Sequence, residues 1–134
     1  MPLPLLLSLL LGPPQTIEGG IVLRVESSLR VQLSLRPVLE ACAAPRRLAA
    51  LPQVELRIVP QPWLQKAFGA PKRGRRMGHY LPATPKQPAI LYAADGPQLL
   101  TTVAHEWLHH LDAAAGRTRD EDEVEVAAKR CAVP

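Results

Sequence analysis

Gln98-Leu99-Leu100-Thr101-Thr102-Val103-Ala104-His105-Glu106-Trp107-Leu108-His109-His110-Leu111-Asp112-Ala113-Ala114-Ala115-Gly116 is the stretch that decides how this sequence is read. Fifteen prolines punctuate the chain, ten of them from Pro37 to Pro97, and none falls from Gln98 to Val133. Proline removes a backbone donor and breaks helices, so long helices are confined mainly to that last stretch. A helix is predicted over Gln98–Ala115, closed by Gly116 in the left-handed cap position. On it His105 and His109 stand four residues apart, which places both imidazoles on one face, one turn from each other.

Two nitrogens at that spacing can bind one tetrahedral zinc while the helix stays regular. Glu106 follows the first histidine, about 100° around the helix. A carboxylate there reaches a water beside the metal without being a ligand, and can take its proton. The five residues His105-Glu106-Trp107-Leu108-His109 thus write a metal site and its base together. The plainer reading is a surface helix on which three of the four histidines cluster. Against it, Thr102, Val103, Ala104, Trp107, Leu108, His110 and Leu111 are all uncharged, as a helix carrying a buried ion requires.

A helix is also predicted from about Glu121 to Ala132. Asp120 is its expected N-cap, and the acids of its first turn suit the positive end of the helix dipole. No histidine follows His110, so a third metal ligand must be an acid, and Glu123 and Glu125 are the main candidates. Glu125 stands four residues before Lys129, the orientation of an exposed ion pair. Glu123 shares a face with Val126 and the small Ala127, and is the preferred ligand. Its alternative role is partner to Asp120 in a capping box.

Working back towards the N-terminus, Ile21–Val25, Leu29–Leu35, Val54–Val59 and Ala89–Ala93 read as strands. In the second of these, Leu29, Val31, Leu33 and Leu35 alternate with polar residues. Pro37–Leu51 reads as a short helix broken near Pro45. Residues 60–88 hold six prolines and the basic knot of Lys72, Arg73, Arg75 and Arg76, and are expected to form a long irregular excursion of functional kind. The layout is α+β in a single domain over 1–134, with residues 1–20 either part of it or a poorly ordered accessory segment.

The composition, 47% hydrophobic and 21% charged, fits a folded chain rather than a disordered one. A net charge of +4, with the basic residues knotted rather than spread, gives only weak support to a nucleic-acid partner. The apolar run Leu3–Leu11 is too short to span a bilayer. It lacks the preceding cation and the small-residue cleavage site of a signal peptide, so a cytoplasmic location is favoured and export is the alternative. Cys42 and Cys131 read first as two buried small side chains, with a single bridge the alternative for an exported protein.

Together the helix motif and the acidic last helix resemble the gluzincin peptidases, nearest to the ImmA/IrrE-like and lethal-factor-like families. Glu123, Ala128 and Pro134 match the leading Glu, the Ala and the closing Pro of the ImmA/IrrE-like last helix. Asp112 completes the HExxHxxD pattern of the lethal-factor-like family. The resemblance implies a minimal zincin-like domain: a small mixed sheet, the HExxH helix, and a C-terminal helix bringing the third ligand. It implies a zinc ion held by His105, His109 and Glu123, with Glu106 as general base, acting on a peptide or protein. It further implies that the strand before the metal helix, Ile90, Leu91 and Tyr92, is the edge that pairs with an extended substrate. Two other function classes compete: a zinc-stabilised structural or binding protein without turnover, and a DNA-associated regulatory protease. His79, Tyr80, Tyr92, His110 and Arg117 are all open as the group that stabilises an oxyanion.

Overall fold

The computed structural model describes residues 15–18, 21–25, 35–46, 53–72, 74–116 and 120–132. Among these are strands β1 (Gln15–Glu18), β2 (Ile21–Val25), β3 (Val54–Val59), β4 (Gly78–Leu81) and β5 (Ala89–Ala94). The helices are α1 (Arg36–Ala43), which runs into a 3₁₀ turn at Ala44–Arg46, α2 (Gln61–Phe68), α3 (Leu99–Ala114) and α4 (Glu121–Cys131). The strands form one mixed sheet in the order β1-β2-β3-β5-β4. β2, β3 and β5 run parallel, and β1 and β4 flank them antiparallel. The expected α+β class and mixed sheet are therefore present.

Alternation along the strands sorts the core into two layers. Val54, Leu56 and Ile58 of β3, with Ala89, Leu91 and Ala93 of β5, pack in one cluster with residues of α1, α3 and α4. Val59, Ile90, Tyr92 and Ala94 join Leu64 of α2 in the other. β5 is buried along its whole length, which is why it reads as a continuous apolar run rather than an alternating one. In the thicker layer Trp107 is fully buried and its indole Nε1 donates to the Leu39 carbonyl at 2.9 Å. The ring thereby fills the space between α3 and α1 without stranding a buried donor.

Both C-terminal helices form as the sequence predicts. Gly116 takes a φ of 69° just past α3, and Asp120 caps α4 by accepting from the Glu123 backbone N–H at 2.8 Å. The region 60–88 is a correction. It is not a single irregular excursion but contains α2 and β4. Pro60 and Pro62 stand at the N-cap and second position of α2, where the missing N–H has no intrahelical acceptor to lose. These prolines begin a helix instead of preventing one. The predicted strand Leu29–Leu35 lies outside the described residues except for Leu35, which is buried at the N-cap of α1.

Cys42 and Cys131 are joined as a disulfide across 89 residues of sequence. The bridge ties the last turn of α1 to the last residue of α4, and replaces the first expectation of two separate buried thiols. No helix among the described residues is long and apolar enough to cross a membrane.

Candidate metal centre

Helix α3 is amphipathic in a particular way. Val103, Ala104, Trp107, Leu108 and Leu111 are buried in the core, and Gln98, Thr101, Thr102, His105 and Glu106 line a cleft. His105 and His109 project from adjacent turns, and their Nε2 atoms are 3.2 Å apart. The chain then turns at Gly116, and α4 returns across α3 on the buried pair Val124 and Ala128. That packing carries the first turn of α4 up to the histidines. Glu121 Oε2 lies 2.9 Å from His105 Nε2, and Glu121 Oε1 lies 2.9 Å from His109 Nε2.

His105, His109 and Glu121 are the residues among those described whose donor atoms cluster closely enough to hold one ion. Two donors bound to a tetrahedral zinc stand about 3.3 Å apart. The observed separations of 2.9 to 3.2 Å therefore fit such an ion with only small outward adjustment. Two imidazoles and one carboxylate are also a donor set that zinc takes.

The structure brings Glu121, rather than Glu123, to the histidine pair. Glu123 lines a shallow depression with Asp122, Val126 and Arg130, a different surface from the histidine cleft. The helical angle explains this. Residues two apart are turned by about 200°, whereas Glu121 and Glu125, four apart, are offset by about 40° and share a face. The signal was present in the sequence as the stripe Glu121, Val124, Glu125, Ala128, a helical-period face pairing two acids with two small apolar residues. The argument from Val126 and Ala127 misled because Val126 is exposed.

Glu125 makes the expected pair with Lys129 and a second contact as well. Its Oε2 is 3.0 Å from His105 Nδ1, and its Oε1 is 3.7 Å from Lys129 Nζ. The predicted pair with Lys129 exists, but the carboxylate also holds the far nitrogen of the first histidine. Such a contact fixes ring orientation and leaves Nε2 free to act as a ligand.

Glu106 is a strongly perturbed acid. Its pKa is pushed up to about 7, first by burial and then by the nearby charge of Glu121, while His105 and Arg76 pull the other way. A carboxylate poised near neutrality suits proton transfer. β4 passes directly over it. A Cβ built on Gly78 would lie 2.9 Å from Thr102 Cγ2 and 3.0 Å from both Glu106 Cγ and Oε1. Only glycine allows the strand to approach Glu106 this closely.

No protein family, curated protein or solved structure matches this chain. Its chemistry is therefore read from its own geometry.

Ile90, Leu91 and Tyr92 are a second correction. β5 is not an edge: its Cα partners run to β3 on one side and β4 on the other, with Ile90 opposite both Glu55 and Leu81. Both hydrogen-bonding sides are used, and all three side chains are buried. Among the described residues the sheet ends instead at β4 on that side. Short local sequence cannot reveal this, because strand order depends on which segments pair across the fold.

The other polar candidates divide by sheet face. His79 stacks on Phe68, ring centroids 4.0 Å apart, and its pKa is lowered by burial and by Arg76. Tyr92 accepts from Arg57 Nη1 at 2.8 Å and lies in the layer of α2. Both belong to the face away from α3. Tyr80 packs with the α3 layer, but its hydroxyl is 2.8 Å from His110 Nδ1. Burial raises its pKa. Arg117 lies outside the described residues.

Proposed function

We propose that this chain is a zinc-dependent peptidase of zincin type, with His105, His109 and Glu121 as metal ligands and Glu106 as general base. The observation that carries this reading is the convergence of two Nε2 atoms and one carboxylate beside the half-buried Glu106, whose pKa is pushed up to about 7, at the side of an open cleft. When bound, zinc would polarise a carbonyl and make water a stronger acid. Glu106 accepts the proton and returns it to the leaving amine. Glu125 orients His105, and Gly78 keeps β4 close over Glu106. Among the described residues β4 is an outer strand of the sheet, and its edge would offer backbone groups that an extended peptide can meet as an added strand.

Glu106→Gln tests the assignment, because the amide keeps the shape but cannot accept a proton. The variant is expected to fold and to retain zinc by elemental analysis. Its hydrolysis of a broad peptide library should fall by at least about a hundredfold, the lower end of a general base's contribution. Equal activity in the two proteins would remove Glu106 from the chemistry.

A further inference from the structure

The cleft beside Glu106 encloses about 650 Å³ and has two unlike walls. One is α4, whose Glu121 and Glu125 are engaged with the histidines and Lys129. The other is the segment leading into β4, where Arg75 and Arg76 line the cavity. Arg76 is not a loosely solvated cation. Its Nε donates to the Gly69 carbonyl at 2.6 Å and its Nη1 donates to His79 Nδ1 at 3.2 Å. His79 is itself held by stacking on Phe68, and its lowered pKa keeps that ring a neutral acceptor.

Both anchors of Arg76 are uncharged, so they position the guanidinium without neutralising it. Among the described residues neither Arg75 nor Arg76 forms an ion pair. Glu106 feels the charge of Arg76 but makes no ion pair with it, and a fixed fork of donors that no carboxylate contacts matches one from a ligand.

We propose that Arg76 is a specificity-determining residue that binds a substrate carboxylate, so that this cleft takes acidic peptides, carrying either an Asp or Glu side chain or a free C-terminus. The inference rests on the peptidase reading for the peptide nature of the ligand, but carboxylate recognition is measurable without turnover. Calorimetric titration of the protein as purified would use two peptide pairs. One pair is a blocked hexapeptide with a central Glu and its Gln counterpart; the other is an alanine hexapeptide with a free acid or an amide at its C-terminus.

At least one charged peptide should bind about tenfold or more tightly than its neutral partner, as expected for a charge-assisted pair. Which pair shows the preference distinguishes side chain from terminus. In Arg76→Gln the preference should collapse to about twofold or less, and in Arg76→Lys it should fall but persist. Circular dichroism would check that each variant folds, and the wild-type comparison stands without them. Equal binding within both wild-type pairs overturns the proposal, as does a preference that survives in Arg76→Gln. Tighter binding of a single-stranded oligonucleotide than of every peptide overturns it as well. Cleavage of neutral and acidic library members alike would sink this inference and leave the peptidase reading intact. Acid-selective binding with no cleavage of any peptide would do the reverse.

Discussion

Two glutamates two residues apart on a helix face opposite ways, so the choice between Glu121 and Glu123 is a sharp one. Glu121→Ala removes a carboxylate 2.9 Å from both histidine nitrogens and should weaken zinc binding by more than about a hundredfold. Glu125→Ala leaves the ligands in place but frees the far side of His105, so a loss of about 10- to 100-fold is expected, the usual range for a partner of a metal-bound histidine. Glu123→Ala should change affinity by less than about twofold, since Glu123 is turned about 200° from Glu121 and lines a surface other than the histidine cleft. Competition against a chromophoric chelator measures all three, and equal losses in Glu121→Ala and Glu123→Ala would overturn the ligand assignment. At this scale much of the site was legible. His105, Glu106 and His109 follow from spacing alone, and the Asp120 cap from residue type. The third acid was signalled only by the stripe Glu121, Val124, Glu125, Ala128, and whether that face of α4 packs on α3 is set by tertiary contacts of Val124 and Ala128.

Elements tell a similar story with different causes. β3, β5, α3 and α4 lie within a residue or so of their predicted bounds, since each carries a sustained apolar pattern free of internal proline. α2 was hidden because proline counts as a breaker unless its position in the helix is known. β4 was hidden because four residues, Gly78–Leu81, hold too little pattern to distinguish a strand. β4 nevertheless lies close against Glu106, the proposed base. Gly78→Ala would place a methyl group about 3 Å from Thr102 and Glu106, so the strand must lift or the carboxylate must turn. A stability loss of about 1 to 3 kcal/mol is expected in urea denaturation, the usual cost of overpacking. Peptide hydrolysis should fall by about tenfold or more with zinc content unchanged. Unaltered stability and activity would mean that β4 does not press on Glu106.

For the molecule as a whole, the Cys42–Cys131 bridge joins the layer that carries the site. α1, α3 and α4 share one face of the sheet, and α4 brings Glu121 and Glu125 to α3 from an eleven-residue helix whose two fully buried side chains are Val124 and Ala128. A bridge closing a loop of this length contributes about 4 to 5 kcal/mol in the chain-entropy account, and removal of native bridges commonly costs about 2 to 5 kcal/mol. Such a bond persists in oxidising compartments, which weighs towards the export alternative rather than the cytoplasmic one. The double variant Cys42→Ala, Cys131→Ala should therefore lose about 2 to 5 kcal/mol in urea denaturation. Its zinc affinity should fall as well, because freeing the end of α4 lets the helix shift against α3 and spreads the donors that now lie 2.9 to 3.2 Å apart. The two readouts separate two roles for the bond. A loss of stability with zinc affinity intact would show that packing alone holds α4 in register and that the bridge serves only the fold. A loss of both would couple the oxidised state of the chain to assembly of the proposed metal site.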